Sequence, residues 1–427
     1  MMLKVLVITH FFAPCRNVQS KLNLATVFSL MDAGYEPLIV MRKVPDDLID
    51  NSFDGCIGEL KKFFYDPFPS DPLVEKIRMK LNIPQDNLIC RGYLRKIYKV
   101  AEEVIKKHHI DIIYSISFIG DTARSAKILA KKYKIPWVAE FQDPWLDNFT
   151  LNTYMKNHSH KIYYLYWRRR AEYLLNGVLK EADLIVTESE GHQKLLMLRA
   201  KKLGIDHNKI MTAHLGTESR VTTKDELRIL ADLLGTIDIP KIGFVGNIYY
   251  GYEEKAKRLV RCLKLLEKEK LPFYFISVGC PTLAKFALEE GLSNNLNLYP
   301  VSYHEAISII DILDWGVTVP SSKIHINSKI FDYIQHNCKV IVWGYPDGDM
   351  GHLVKEHNCG IAVDDNNLQD AIIELRKHLF SNHNPTNIEP IPDAWYTRKA
   401  CLKPVLKRMH ELTAVSHIHT GRHKHSL

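Results

Sequence analysis

Short apolar segments alternate with longer amphipathic segments along most of this chain, and this alternation restricts the possible folds more than any other feature. Residues 315–319 illustrate it. They are apolar, end at Pro320, and are followed by a polar loop, an amphipathic segment from Ser328 and a second apolar segment, 340–343. Strand, loop, helix and strand at this spacing form a βαβ unit of a parallel sheet. In such sheets, ligands bind beyond the carboxyl ends of the strands.

The pattern occurs in two series. The first predicts strands at residues 5–9, 38–41, 111–116, 137–141, 184–187 and 210–214. The second predicts strands at residues 241–246, 273–278, 296–300, 315–319, 340–343 and 361–363. Because 427 residues exceed the usual size of one domain, we predict an α/β fold with two doubly wound, Rossmann-like domains that face a cleft. The predicted segments are an N-terminal domain at 1–218, a C-terminal domain at 240–390, a last helix at 395–410 and a flexible tail at 411–427.

Composition is that of an ordinary globular protein, with 46% hydrophobic and 25% charged residues. Residues 3–9 are too short for a signal peptide, and no apolar run approaches the length of a membrane span. The eight cysteines are scattered, which is typical of reduced thiols and predicts a cytoplasmic protein. The net charge of +8 favours anionic partners such as nucleotides or acidic lipid head groups. We expect no nucleic-acid partner, because no nucleic-acid-binding module is recognisable.

The amphipathic segment from Ser328 carries a candidate nucleotide site. Lys329 and Asp332 are three residues apart, so they share one face of a helix. A helix N-terminus favours phosphate, and a cation beside a carboxylate would suit the phosphates and ribose hydroxyls of a nucleotide. The alternative is a surface ion pair on an ordinary helix.

The start of the second series supplies further candidates for the same ligand. Gly246 ends a predicted strand, where a missing side chain lets a ligand approach the backbone. Asn247 and Tyr249 continue the loop into a helix on which Lys255 and Arg258 could contact a diphosphate. The alternative for this basic helix is a solvated face.

Acidic and aromatic residues follow the fourth predicted strand of the first series. Asp143 is placed to orient or deprotonate an attacking hydroxyl, and Trp145 and Asp147 to contact a sugar. The alternative is that Asp143 caps a helix and Trp145 packs in the core. The loop after the first strand lacks the glycines of a dinucleotide fingerprint, which argues against a nicotinamide enzyme. Asn17 and Gln19 lie in this loop before a helix predicted at 20–33 with Ser20 as its N-cap, where they could contact an acceptor. The alternative is plain solvent exposure.

Residues 161–170 combine aromatic side chains with three consecutive arginines. Such a segment could lie on a bilayer surface, with rings in the interface and cations on lipid phosphates. The alternative is an internal helix whose aromatic side chains pack on the sheet. If the first holds, the protein is peripheral at the inner face of the cytoplasmic membrane.

Three segments together resemble one family. They are Asp143-Pro144-Trp145, the loop 246–251, and residues 328–333 followed by 338–341. The chain is similar to nucleotide-sugar glycosyltransferases of the GT-B class, above all the retaining group called family 4. The resemblance implies a donor site in the second domain, with Lys329 at the phosphates and Asp332 at the ribose. It also implies an acceptor near Asp143, a last helix that packs back on the first domain, and no need for a metal or any cofactor besides the donor.

The sequence departs from the family pattern at several positions. Asp332 stands where the family commonly has glutamate, Ile324 replaces a second acidic residue, Gln142 replaces arginine and Cys338 replaces glycine. We expect a hexosyltransferase-type enzyme of polysaccharide biosynthesis that transfers a sugar to a hydroxyl of a glycan or lipid-linked glycan. The alternatives are a nucleotide-sugar epimerase or hydrolase, and a degenerate GT-B protein that acts as a non-catalytic binding partner.

Overall fold

The computed structural model describes residues 2–50, 54–66, 91–117, 121–147, 152–153, 156–157, 161–217, 239–248, 251–301, 303–380 and 396–419. The chain divides into two compact units. The first unit comprises Met1–Glu218 and Arg398–Leu427, and the second comprises Ser219–Thr397. Most of the segment predicted to link the two domains lies outside the described residues.

The first unit contains a parallel sheet, which has seven strands within the described residues. Its strands are β1 Leu3–Thr9, β2 Tyr35–Arg42, β3 Lys61–Tyr65, β4 Ile112–Ser117, β5 Trp137–Phe141, β6 Leu184–Thr187 and β7 Ile210–Thr212. They lie in the order β3-β2-β1-β4-β5-β6-β7. The helices of this unit are α1 Val18–Asp32, α2 Asp54–Ile57, α3 Arg91–Lys107, α4 Asp121–Tyr133, α5 Lys161–Glu181 and α6 Glu190–Lys202, with 3-10 helices at Asp46–Leu48 and Trp145–Asp147.

The second unit contains a parallel sheet that has six strands within its described residues. Its strands are β8 Lys241–Val245, β9 Tyr274–Val278, β10 Asn295–Leu298, β11 Trp315–Thr318, β12 Lys339–Trp343 and β13 Gly360–Val363. They lie in the order β10-β9-β8-β11-β12-β13. Its helices are α7 Glu253–Lys268, α8 Pro281–Glu289, α9 Tyr303–Ile310, α10 Lys329–Gln335, α11 Asp349–Glu356 and α12 Leu368–Leu379.

Burial on both faces of the first sheet explains why its strands are continuously apolar. Successive side chains of a strand point to opposite faces. Val5 and Val7 accordingly pack in one hydrophobic cluster, and Leu6 and Ile8 pack in another. This is the arrangement expected of a parallel sheet with helices on both faces. The predicted fold class, two doubly wound parallel α/β sheets, is confirmed.

Two details of the first unit differ from prediction. β3 lies between the strands predicted at 38–41 and 111–116, where no strand was predicted. Its sequence, KKFFY, forms an edge strand with partly exposed side chains and lacks a continuous apolar run. Helix α1 begins earlier than expected. Its N-cap is Asn17, whose side chain accepts a 2.7 Å hydrogen bond from the Gln19 N–H, whereas Ser20 is buried inside the helix.

The last helix, α13 Arg398–His419, extends beyond its predicted end, so the tail predicted from residue 411 is helical as far as His419. It packs on α1 of the first unit, with Leu402, Val405 and Met409 in the core. Their spacing of three and four residues places them on one buried face, which stabilises the helix.

Among the described helices, none combines the length and apolar character that spanning a bilayer requires.

Candidate functional site

Gly246 and Lys329 meet at the carboxyl end of β8. Gly246 has a φ of +104°, and a Cβ atom placed on it would lie 2.6 Å from Cε and 2.7 Å from Nζ of Lys329. The missing side chain therefore makes room for the lysine. The Nζ atom lies 4.5 Å from the centroid of the Phe244 ring. Burial lowers the pKa of Lys329 to about 8, although the charge of Asp332 acts in the opposite direction.

Tyr333 fixes the helix that carries this lysine. Its hydroxyl accepts a hydrogen bond from the Val245 N–H at 3.0 Å and donates to the Val317 carbonyl at 3.2 Å. Its ring packs so closely on Gly316 that a Cβ there would lie 2.4 Å from a ring carbon. Helix α10 is thereby held to both β8 and β11. It has only seven residues, and Ser328 at its N-cap makes no side-chain capping bond.

The end of β11 and the loop after it contain three buried hydroxyl groups that lack a hydrogen-bond partner among the described residues. The Oγ atoms of Thr318, Ser321 and Ser322 make no hydrogen bond within the part of the chain that the structure describes. Buried polar side chains are normally hydrogen-bonded, so this cluster is unusual. The Asn327 side chain donates to the Val319 carbonyl at 3.0 Å and closes the loop around it. A polar ligand at this end of the sheet would supply the missing partners.

A second lysine repeats the relationship at the end of β12. Gly344 has a φ of +103°, and a Cβ atom on it would lie 2.7 Å from Nζ of Lys255. That Nζ is buried and, among the described residues, has no hydrogen-bond partner. It lies 3.8 Å from Oδ1 of Asp365 and 3.7 Å from the centroid of the Tyr345 ring. Burial lowers the pKa of Lys255.

Arg258 is held by Asp365. Both Nε, at 3.1 Å, and Nη2 of Arg258 donate to the Asp365 carboxylate, which is buried. Arg258, which was predicted to contact a diphosphate, is therefore paired with Asp365. This pairing positions the Asp365 carboxylate near Lys255. Asn247 is exposed, and Tyr249 lies outside the described residues.

In the first unit, two of the predicted site residues follow β5, and their roles stay predictions. Asp143 is half-buried directly after β5, and Asp147 is exposed at the end of the 3-10 helix. Partial removal from water raises the pKa of Asp147, and nearby His192 lowers it. The side chain of Trp145 lies outside the described part of the structure. Asn17 serves as the cap of α1, which occupies its side-chain oxygen.

Known structures resemble this chain in its fold. No protein-family model matches the chain, and no curated protein matches its sequence. Solved structures do match: HepE of Anabaena in complex with UDP and glucose has a TM-score of 0.57 at 12% identity, covering 99% of this chain and 100% of that one. A glycosyltransferase from Rickettsia africae gives 0.61 at 16%, covering 96% and 98%. The UDP-GlcNAc 2-epimerase of Methanocaldococcus jannaschii gives 0.54 at 14%, covering 96% and 100%. The fold is that of the GT-B class.

Sequence analysis did not identify two clusters of buried polar side chains. Glu188 and His192 lie after β6, with Oε2 and Nδ1 2.6 Å apart, and Oε1 of Glu188 has no hydrogen-bond partner among the described residues. Arg398 and Glu140, each nearly fully buried, form an ion pair at 2.6 Å. Glu140 also accepts a hydrogen bond from the Tyr114 hydroxyl at 2.6 Å. The contacts of Glu140 join residues far apart in sequence, so no local signal could reveal them, whereas Glu188 and His192 are four residues apart and this short spacing was a signal that sequence analysis did not use.

A cavity of about 570 Å³ lies beside β2 and β3. It is lined mainly by apolar side chains, with two lysines at its wall; the lining includes Pro14, Lys43, Val44, Ile49, Ile57, Lys62 and Phe64. It belongs to the first unit, and nothing in it was predicted to be functional.

Proposed function

We propose that the second unit binds a nucleotide-diphosphate sugar and that the protein transfers the sugar to a hydroxyl of a glycan or lipid-linked glycan. The observation that carries this proposal is the pair of lysines set against glycines at the ends of β8 and β12. Lys329 is half-buried, and the buried Nζ atom of Lys255 has no hydrogen-bond partner among the described residues. A cation that is partly removed from water is stabilised by an anion. Asp365 supplies one for Lys255, at 3.8 Å, and a bound diphosphate would supply one for both lysines.

The hydroxyl cluster extends the same site. Thr318, Ser321 and Ser322 offer donors and acceptors to the sugar or to a phosphate oxygen. Asp332 remains the proposed ribose ligand. It is half-buried on the helix that also carries Lys329. The solved structure of HepE with UDP and glucose supports a uridine nucleotide as the first donor to test.

In the reaction that we propose, the bond between the anomeric carbon and the diphosphate oxygen breaks, and a bond to the acceptor oxygen forms. The acceptor proton leaves with the diphosphate, whose negative charge Lys329 and Lys255 stabilise. Asp143 orients the acceptor hydroxyl. Retention of the anomeric configuration, independence of metals and membership of family 4 are parts of this proposal that rest on the sequence resemblance.

The test is incubation with UDP-, GDP- and ADP-sugars, with and without a mixture of glycan acceptors, followed by product analysis. A glycosyltransferase yields a glycosylated acceptor and free nucleoside diphosphate, and variant Asp143→Asn should yield much less. Transfer from none of these donors would contradict the proposal.

A nucleotide-sugar epimerase is the second candidate, because a UDP-GlcNAc 2-epimerase is among the similar structures. It would change the sugar of the donor without any acceptor, which the same product analysis detects.

A non-catalytic binding partner is the third candidate, because Ile324 replaces an acidic residue of the family pattern. That candidate predicts no product in either arm.

A further inference from the structure

Helix α5 has two very different faces. Its inward face packs in the core of the first unit, where Trp167 is only 1% exposed and Ala171 is fully buried. Its outward face carries four large hydrophobic side chains in contact with solvent. Their exposed fractions are 71% for Ile162, 51% for Leu165, 47% for Tyr166 and 76% for Tyr173. The predicted alternative, an internal helix over 161–170 whose aromatic side chains pack on the sheet, therefore holds for Trp167 and fails for Tyr166.

These four side chains lie on one side of the helix, with Arg169 between Tyr166 and Tyr173. An α-helix turns by about 100° per residue, so positions 162, 165, 166, 169 and 173 fall within an arc of about 100°. We call this surface the α5 stripe. Monomeric proteins usually expose single hydrophobic residues, whereas a contiguous apolar surface marks an interaction site.

Positive charge surrounds the α5 stripe. Arg169 is exposed at its centre, Lys161 and Arg168 lie along one edge, and Arg170 lies along the other. The guanidinium of Arg170 is 5.9 Å from the ring centroid of Tyr166. The adjacent acidic side chain on this helix is Glu172, which pairs with Arg168 at 3.6 Å. The stripe therefore presents apolar and aromatic groups within a net positive rim.

We propose that the α5 stripe docks on a membrane surface that contains anionic lipids. Isoleucine and leucine side chains would enter the acyl boundary, and tyrosine rings favour the level of the head groups. The arginines would pair with lipid phosphates. A second copy of the chain fits less well, because a two-fold interface would bring the two positive stripes together. The proposal does not depend on the donor site.

The experiment is flotation of the full chain with vesicles of phosphatidylcholine alone or mixed with phosphatidylglycerol. Variant Ile162→Ser/Tyr166→Ser removes apolar contacts, and variant Arg169→Gln/Arg170→Gln removes charge. Leu288→Ser is the matched control, because Leu288 is 79% exposed on α8 of the other unit. Thermal unfolding of each variant verifies that it is folded.

We expect the wild type and the Leu288→Ser control to float with the anionic vesicles and not with the neutral ones. Each basic group near an anionic surface contributes about fivefold to partitioning, so the double arginine variant should bind about 25-fold more weakly. The Ile162→Ser/Tyr166→Ser variant should also lose binding. Absence of wild-type flotation, or equal flotation of all variants, would overturn the proposal. So would sedimentation showing a dimer that Ile162→Ser/Tyr166→Ser converts to a monomer.

Discussion

The Nζ atom of Lys329 lies 2.7 Å from the position that a Cβ atom on Gly246 would take. Lys255 has the same relationship to Gly344. β11 lies between the strands that precede the two glycines, so these glycines are about 10 Å apart, two strand spacings. Two strand ends of the second sheet are thereby left without side chains, and each receives an ammonium group from a helix. This arrangement is the physical basis of the proposed donor site.

Replacement of Gly246 by alanine should disturb both stability and binding. A positive φ costs a residue with a Cβ about 1–3 kcal/mol, and here the new methyl group would also displace Lys329. Gly291→Ala is the matched control, because Gly291 has a φ of +66° but nothing within 4 Å of its Cβ position. Urea unfolding should show a loss for both variants. Calorimetric titration with pyrophosphate should show weaker binding for Gly246→Ala alone, and unchanged binding in that variant would argue against the role of Lys329.

The affinity for a diphosphate should depend on pH through Lys329. Its pKa is lowered to about 8, and an anion binds the protonated form, so affinity falls as pH rises through this value. Between pH 7 and pH 9 the protonated fraction, and with it the affinity for pyrophosphate, should fall about tenfold. The Lys329→Met variant should bind weakly and with a smaller pH dependence, and the dependence that remains comes from Lys255, whose pKa is also lowered. An affinity that is constant over that range in the wild type would contradict the assignment.

The same shift has a consequence for the unliganded protein. The folded-state pKa of Lys329 lies below that of the unfolded chain, so between about pH 8 and pH 10.5 the unfolded state binds more protons. This group therefore makes the free energy of unfolding rise with pH across that window. Comparison of wild type with Lys329→Met by urea unfolding at pH 8 and pH 10 isolates the contribution. From pH 8 to pH 10 the free energy of unfolding should increase more in the wild type than in Lys329→Met. A larger increase in the variant would contradict the lowered pKa of Lys329.

Arg398 should be essential for holding the last helix on the first unit. Replacement by methionine leaves the buried carboxylate of Glu140 without its cation, which costs about 3–5 kcal/mol. Lys399→Met is the control, since Lys399 is exposed and its ion pair with Asp32 contributes about 1 kcal/mol or less. Chemical denaturation of the two variants measures the difference. Additional replacement of Glu140 by glutamine should recover part of the loss, and equal losses for Arg398→Met and Lys399→Met would refute the prediction.

Asp143 should affect transfer but not donor binding. Removal of a carboxylate that orients the acceptor hydroxyl typically slows a reaction by about 100- to 10,000-fold. Asp143→Asn should therefore reduce the turnover of the donor and acceptor pair found by product analysis, with unchanged affinity for the nucleotide. Asp206→Asn, which removes an exposed carboxylate from another segment of the first unit, should leave turnover unchanged. A full rate in Asp143→Asn would remove this residue from the mechanism.

The fold could be predicted from the sequence because its strands are continuously buried. Trp137–Phe141 and Leu184–Thr187 were predicted residue for residue, as fully buried strands bounded by polar segments. β3 could not be predicted in this way, because an edge strand with exposed lysines lacks that apolar signal. The capping role of Asn17 was missed because Ser20 is an equally acceptable cap on local grounds.

The candidate site was only partly predictable. Lys329 and Gly246 were both singled out, but their mutual contact depends on how α10 packs against β8. Asp365 accepts a hydrogen bond from Arg258, which lies 107 positions away in the sequence. The Thr318 hydroxyl lacks a hydrogen-bond partner among the described residues because it is buried at the end of a strand. Such facts arise from tertiary packing, which local patterns do not specify.

Calorimetric titration of nucleoside diphosphates into three proteins tests the central claim most directly. The proteins are wild type, Lys329→Met and Lys257→Met, where Lys257 lies on the outer side of α7 and pairs with Glu254 at 3.5 Å. A buried charge-assisted contact contributes about 1.5–3 kcal/mol, so Lys329→Met should bind at least about tenfold more weakly. Lys257→Met should bind as the wild type does. Equal affinities of the wild type and Lys329→Met for UDP, GDP, ADP and CDP, or no binding of any of them to the wild type, would contradict the account.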